Sequence, residues 1–502
     1  MERNLRLPML VVFLCLAVSI GWAQNVTSSI SGVVTDATGA VVPGALVTVT
    51  NTGTNAQYTG SATALGTFSI RSLPVGAYNL SVEVPGFKRY EATGIRTQVN
   101  ETARVDVALE VGQVAESVEV QANVVNVDTE SATLKTVIDQ RRVEDLPLNG
   151  RDPVQLMMLV AGVQPYSGAG LTSGTTYPGL PGVTVNGNRG NATNFILDGG
   201  QNNDHYSNAP NPMPNPDALQ EFSVQTNNFS AEFGRNSGGI VNAVTKSGTN
   251  ELHGAAFEYL RHNKLNAAGF FAPPDPDDPA KKQNDGLKRN QFGATLGGPV
   301  VLPGYDGRDK TFFFFSYQGT RIRRRPTSNT RNTMTAAERE GDFSVLNRPL
   351  LDPFGGGEFA NNQVPQNLQS PITSQFIDSF LPIPDTGDRR VTVTQVENTD
   401  DNQYVIKGDQ YIGAKDRLSL RGYWSRASQP GNLNQRNVYE TTTNRDWRNT
   451  SVVVNNSYTF SPNVLNQTVF SYNNTEGPAS QVLPEKSWVD LGVNMTLDEF
   501  TQ

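Results

Sequence analysis

Three histidines, His205, His253 and His262, are the residues best suited to bind a transition metal or shuttle a proton, and they are scattered along the chain. None stands in a His-Glu-x-x-His pattern, which would set two imidazoles on one helix face around zinc. No Gly-x-Ser-x-Gly elbow presents a serine nucleophile, and no glycine-rich loop is built to cradle phosphate. Enzyme chemistry has no constellation to run on, so no catalytic residue, cofactor or metal is assigned. The stretch from Asp198–Gly199 to Asp204 offers oxygen ligands for calcium, but its spacing fits no strong motif, and a packed turn is the simpler reading. Asp275, Asp277 and Asp278 are broken by prolines and read as a solvated loop. Arg321, Arg323, Arg324 and Arg325 are a dense cationic group after the aromatic run Phe312–Tyr317. At the outer rim of a membrane they would clasp lipopolysaccharide phosphates through bidentate hydrogen bonds; a solvated loop base is the plainer alternative.

The elements that must position these residues are strands. Leu418, Leu420 and Trp424 fall on one face of the segment around Arg417–Trp424, and Arg417, Ser419 and Arg421 on the other. Successive strand side chains point to opposite faces, so this alternation sorts them into two environments. Val452, Val454, Tyr458 and Phe460 likewise oppose Ser451, Asn455, Ser457 and Thr459. Strands are expected at about 252–261, 289–298, 311–321, 402–412, 416–426, 447–460 and 464–474. The connections after the second, fourth and sixth are expected to be short, and those after the first, third and fifth long. Short turns at one rim and long loops at the other suit an outer-membrane barrel. The run Phe312–Phe315 alternates imperfectly, so some of its rings must face inward. Tyr317, Trp424, Tyr458 and Tyr472 are candidates for an interfacial aromatic girdle.

The amino terminus reads as a cleaved export signal. Arg3 and Arg6 precede the apolar stretch Leu10–Ile20, and Gly21–Trp22–Ala23 offers small residues for cleavage before Gln24. The single cysteine, Cys15, lies inside this signal, so the exported chain has no thiol chemistry. The formal net charge is −8, so no basic excess suggests nucleic acid. No later apolar run reaches the length of a spanning helix, so membrane entry requires strands. A length of 502 residues allows about three domains. Residues 24–111 read as a small β-sandwich of short strands divided by Gly/Pro turns. Residues 112–245 mix helix and strand signals. Asp152–Pro153 should cap a helix through Val160, stopped by Gly162, and Asn215–Pro216 another through Glu221. Residues 246–502 carry the alternating strands. The fold class is mainly β: a transthyretin-like sandwich, an α+β middle domain, and about seven strands of an antiparallel barrel.

Several motifs carry a resemblance. Ser31–Asp36, Pro43–Val49, Gly66–Ile70, Leu73–Tyr78 and Val84–Phe87 resemble the carboxypeptidase regulatory-like domain, which has no catalytic residues of its own. Leu146–Arg151, Val185–Arg189 and Phe195–Gly199 resemble the plug of Oar-like TonB-dependent outer-membrane receptors, and Gly238–Ala267 resembles their plug-to-barrel passage. The plug motif residues are Asn186, Gly187, Leu197, Asp198 and Gly199.

The resemblance implies a receptor in the bacterial outer membrane that binds a ligand and admits it to the periplasm. Force would come from the TonB-ExbB-ExbD complex, with no chemistry on the substrate. Glu116, Ser117, Val118, Glu119, Val120, Gln121 and Ala122 resemble a TonB box, which a partner captures by strand addition; an ordinary linker strand is the equal alternative. The implied surroundings are outer-membrane lipid and lipopolysaccharide. Barrels of this family have about 22 strands, so the seven legible here predict a fragment or truncated product whose open sheet edges would lack partners in hydrocarbon. The alternative function is a secreted or surface-exposed sandwich that binds or adheres without transport. Large glycans, peptides and metal chelates all remain open as ligands.

Overall fold

The computed structural model describes residues 27–112, 117–121, 131–165, 183–205, 208–234, 236–275, 278–324, 327–384, 389–395, 398–429, 443–461, 464–477, 479–481, 489–490 and 492. The export signal with Cys15, together with Glu116, Ala122, Asp277 and Arg325, lies outside them.

The chain begins with β1 (Ser28–Asp36), β2 (Leu46–Asn51), β3 (Gln57–Ser61), β4 (Thr67–Leu73), β5 (Gly76–Glu83), β6 (Arg89–Thr97), β7 (Thr102–Arg104), β8 (Val107–Leu109) and β9 (Ser117–Gln121). One sheet runs β4-β1-β7, with β8 also on β1, and the other β3-β2-β5-β6-β9. Alternation drives their stacking. Ile30, Val34, Phe68 and Ile70 from the first sheet meet Val47, Val49, Leu80 and Val82 from the second in one core. Each fully buried side chain of this kind contributes about 1.5–3 kcal/mol. The expected sandwich is present. The sequence marks strands at Ser29–Thr35, Ala45–Thr50, Phe68–Ile70, Tyr78–Val84 and Arg104–Glu110, and β3 and β6, which carry little apolar alternation, are additional to these.

The middle layer comprises β10 (Leu134–Asp139), α1 (Gln140–Asp145), β11 (Val163–Pro165), β12 (Val183–Val185), β13 (Asn194–Leu197), β14 (Gly200–Gln201), β15 (Leu219–Asn227) and β16 (Ile240–Thr245). Its sheet has the order β10-β15-β16-β13-β14, with β13 parallel to β16. Asp152 caps a 3-10 helix over Pro153–Leu159 by accepting from the Val154 N–H at 3.0 Å. Burial lifts this carboxyl to about 6, against the Val154 hydrogen bond that lowers it. The helix expected from Asn215–Pro216 through Glu221 is corrected. It lasts one 3-10 turn, Pro216–Ala218, and Glu221 belongs to β15. Strand pairing on both sides, to β10 and β16, outweighs the local helix signal. Asn215 makes no cap; its amide reaches the Ser316 hydroxyl at 3.1 Å.

The third region is an antiparallel wall of β17 (His253–His262), β18 (Lys288–Pro299), β21 (Thr311–Arg323), β24 (Asn398–Ile412), β25 (Asp416–Gln429), β26 (Thr443–Ser461) and β27 (Val464–Glu476), paired in chain order. Accessory strands are β19 (Val301–Leu302) with β20 (Tyr305–Asp306), β22 (Thr327–Asn332) with β23 (Arg390–Gln395), and β28 (Ala479–Gln481) on β26. All seven expected wall strands are found. The connection after β18 is longer than a tight turn, because β19 and β20 form a small hairpin within it.

The wall inverts the soluble pattern. Polar Gln291, Ser316, Gln318, Thr320, Asp401, Gln403, Ser419 and Arg421 are buried on its inner face. Apolar Leu260, Leu296, Ile406, Leu420, Trp424, Phe470 and Tyr472 are exposed on its outer face. An apolar outer face over a polar inner face is the pattern of a barrel wall that meets lipid. Phe312 and Phe314 turn inward, as the imperfect alternation required, and Phe314 packs with Ala218, Val405 and Tyr423. Among the described residues no helix is long and apolar enough to cross a membrane.

Candidate functional site

The middle layer lies against the inner face of the wall, and the contact centres on the hairpin joining β13 to β14. Its two-residue loop is Asp198–Gly199, with φ values of 50° and 83°. Both angles are left-handed, as a type I′ hairpin turn demands, and Asp-Gly meets that demand at low strain. The turn aims the Asp198 carboxylate inward. It accepts from the Thr245 N–H at 2.9 Å and from the Thr245 hydroxyl at 2.9 and 3.1 Å. From the wall, Arg421 Nε donates to Oδ2 at 3.1 Å and Lys407 Nζ stands 3.6 Å from Oδ1. Protein donors occupy the carboxylate, so the calcium-loop reading is set aside in favour of the packed turn.

Arg421 is 1 % exposed and spends its remaining donors on the same contact. Nη2 reaches the Leu197 carbonyl at 3.1 Å, and Nη1 the Ser451 carbonyl and hydroxyl at 3.1 and 2.8 Å. Asn455 Nδ2 donates to the Asp198 carbonyl at 2.9 Å, and Asn473 Nδ2 to the Gln201 carbonyl at 3.1 Å. A buried charge cluster survives only when its members are paired and hydrogen-bonded, and here they are. The fit is close. A Cβ on Gly200 would stand 2.6 Å from a Val453 methyl and 3.0 Å from Ser471 Cβ. Gly200→Val is therefore expected to lift the hairpin off the wall at about 1–3 kcal/mol. Limited proteolysis of the middle layer should accelerate; an unchanged cleavage rate would contradict the fit.

A second contact uses Asn149–Gly150–Arg151. Asn149 Oδ1 accepts from Arg261 at 2.9 Å and Arg289 at 3.0 Å, and the Gly150 carbonyl from Gln291 at 2.9 Å. Arg151 pairs with Asp217 and lies over the Phe257 and Tyr259 rings, 4.9 and 4.0 Å from their centroids. Burial raises the Asp217 carboxyl even with that cation beside it.

The remaining motif residues do other work. Asn186 and Gly187, both at positive φ, form a turn closed by the Asn188 N–H to the Val185 carbonyl at 3.1 Å. The Asn186 amide ties this turn to the Thr226 carbonyl at 2.9 Å, away from the wall. Leu197 is fully buried, and its carbonyl accepts from the wall residue Arg421. Arg321 and Arg323 engage strand β24: Arg323 pairs with Asp400, and Arg321 donates to Asn402 at 2.9 Å. His253 begins β17 and His262 ends it. Lys407 and Thr245 were not singled out from sequence. The available signal was a lysine on an inward strand face, which must find a carboxylate.

The sandwich sits at the rim that carries the tight Gly413–Lys415 turn. Asp309 accepts from Asn55 at 3.0 Å and Asn250 at 2.7 Å, the Gly53 carbonyl accepts from the Asn250 N–H at 2.9 Å, and the Ser72 and Ser457 hydroxyls lie 3.0 Å apart. Against the middle layer, the Val99 N–H donates to Glu221 Oε1 at 2.8 Å. A cavity of about 210 Å³ remains where the three regions meet, lined by Asp198, Lys407, Asp409, Arg417 and sandwich residues around Gly53.

Residues 29–110 match the carboxypeptidase regulatory-like domain and residues 128–241 the TonB-dependent receptor plug domain. Residues 244–494 match the outer membrane beta barrel domain, half of the chain. This chain belongs to the TonB-dependent outer-membrane receptors. It is 30% identical over 310 residues to the TonB-dependent transporter Oar of Myxococcus xanthus, covering 60% of this chain and 27% of that protein. The chain thus spans about a quarter of the length of that relative. In fold it is similar to the outer membrane transporter YddB of Escherichia coli, with a TM-score of 0.43 and 10% identity, over 68% of this chain and 38% of that one. The ferric enterobactin receptor of Pseudomonas aeruginosa compares at a TM-score of 0.35 and 13% identity, over 70% and 46%. By the domain matches, the middle layer is the plug and the wall is part of an outer-membrane barrel. The family is one of receptors rather than enzymes.

Proposed function

We propose that this chain serves an outer-membrane receptor that binds a ligand and admits it to the periplasm when its plug is displaced by force. The observation that carries the reading is the plug pinned to the wall through Asp198, Lys407 and Arg421. A separable layer held by a few buried polar contacts suits a gate better than a static core. The domain limits proposed are a cleaved signal at 1–23, the sandwich at 24–111, the plug at 112–245 and the barrel portion from 246. The energy source proposed is the TonB-ExbB-ExbD complex, acting on Glu116–Ala122. Lipopolysaccharide is proposed to lie against the outer rim, and the ligand class stays open among glycans, peptides and chelates.

In support of the box, Ser117–Gln121 is extended and lies at a sheet edge, where a partner strand can add by backbone hydrogen bonds. Proline removes a ladder N–H, so Val118→Pro with Val120→Pro is expected to weaken binding of the TonB carboxy-terminal domain at least ~10-fold, the loss of about 1.4 kcal/mol. Surface plasmon resonance on the detergent-solubilised chain measures it. Equal affinity of the variant and the parent would remove the box from this segment.

A further inference from the structure

We propose that the sandwich is a mechanical clutch: the β6 edge holds Ser117–Gln121 as β9, and the plug receives no pull until β9 leaves β6. The proposal rests on the box reading given above. It starts from a placement that lies beyond the regulatory-like domain itself. That domain match ends at residue 110, yet the chain returns to add one more strand to its sheet. The register runs Arg89↔Ser117, Tyr90↔Val118, Glu91↔Glu119, Ala92↔Val120 and Thr93↔Gln121.

This ladder differs from the others in its sheet. β2–β3, β2–β5 and β5–β6 are antiparallel, whereas β6–β9 is parallel and five residues long. Parallel pairing is somewhat weaker per residue. The strand is attached in a form made to come off.

Load paths show what the attachment does. The sandwich is fixed to the wall rim through Asn55–Asp309, Gly53–Asn250 and Ser72–Ser457, and to the plug through Val99–Glu221. While β9 stays on β6, a pull on it passes into the sandwich and from there into the wall, which does not move. Once β9 has left β6, the same pull runs along the chain to β10, the edge strand of the plug sheet. From β10 it reaches β15, then β16, then Thr245 and the Asp198 latch. The sandwich thus sets a threshold below which tension cannot reach the plug.

The test is a reversible lock. Opposed strand positions lie within disulfide reach, so Glu91→Cys with Glu119→Cys, in a chain whose Cys15 is replaced by Ser, can bridge β6 to β9. The TonB carboxy-terminal domain is attached to a force probe and pulled from the full chain in membrane. The reduced variant should show plug extension, and the oxidised variant should lose either TonB binding or that extension, with reductant restoring it. Plug extension at unchanged force in the oxidised variant overturns the clutch and leaves the box reading intact. Failure of the reduced variant and the parent alike to bind TonB overturns the box reading, and the clutch with it.

Discussion

Asp198→Ala should detach the plug from the wall at a cost of about 3–5 kcal/mol, the range for removing one partner of a buried ion cluster. The substitution leaves Arg421 and Lys407 facing each other's charge with no carboxylate between them. It also strips Thr245 of the acceptor for its N–H and hydroxyl. The amides of β13, β14 and β16 should then exchange roughly 100- to 5000-fold faster, while those of the sandwich core keep their protection. Adding Arg421→Met and Lys407→Met should recover much of the loss, because apolar replacement of a whole buried cluster is often neutral. That pattern of non-additivity identifies the latch as a unit. A cost for Asp198→Ala below about 1 kcal/mol would mean that the plug is held elsewhere.

The second large effect is a pH dependence of stability set by Glu221, the plug carboxyl that meets the sandwich. Burial lifts the Glu221 carboxyl from 4.5 to about 7, with Glu101 and Asp139 adding to the rise and the Val99 hydrogen bond and Lys135 opposing it. A carboxyl whose value is raised on folding binds its proton more tightly in the folded state. The folded chain is therefore stabilised as pH falls through about 7 toward 4.5, and loses that stability as pH rises through about 7. Between pH 8 and pH 5 the change is about 2.5 kcal/mol. Glu221→Gln carries no proton to titrate and should flatten the response in this window. Calorimetric unfolding of both chains at pH 5, 7 and 8 decides it; parallel slopes would assign the pH dependence to other groups.

Much of the wall was legible because its two faces meet opposite solvents. Leu418, Leu420 and Trp424 against Ser419 and Arg421 is a pattern that only one register of one strand satisfies. The Asp198–Gly199 turn was legible for a local reason, the demand for two left-handed residues. What the carboxylate binds was not, since Arg421 lies 223 residues away and alternation names a face but no partner. The sandwich was readable as a type, yet β6 was missed, its run Arg89–Thr97 being interrupted by a positive-φ Gly94. The docking of β9 onto β6 had no local signal at all. Asn215–Pro216 misled because a helix start was present and real, but three residues later the chain pairs on both sides in the middle of a sheet.

The hairpin at Asp198 also bears on how the molecule is assembled. Its carboxylate waits for Lys407 and Arg421, and its carbonyl for Asn455, 257 residues downstream. Synthesis from the amino terminus produces the plug before those side chains exist to meet it. Until then Asp198 must stay hydrated and the β13–β14 loop unseated, since closing so long a loop early costs entropy with nothing yet to offset it. The latch closes only when β25 and β26 arrive, which makes it a late checkpoint on correct strand order as well as a hold on the finished gate.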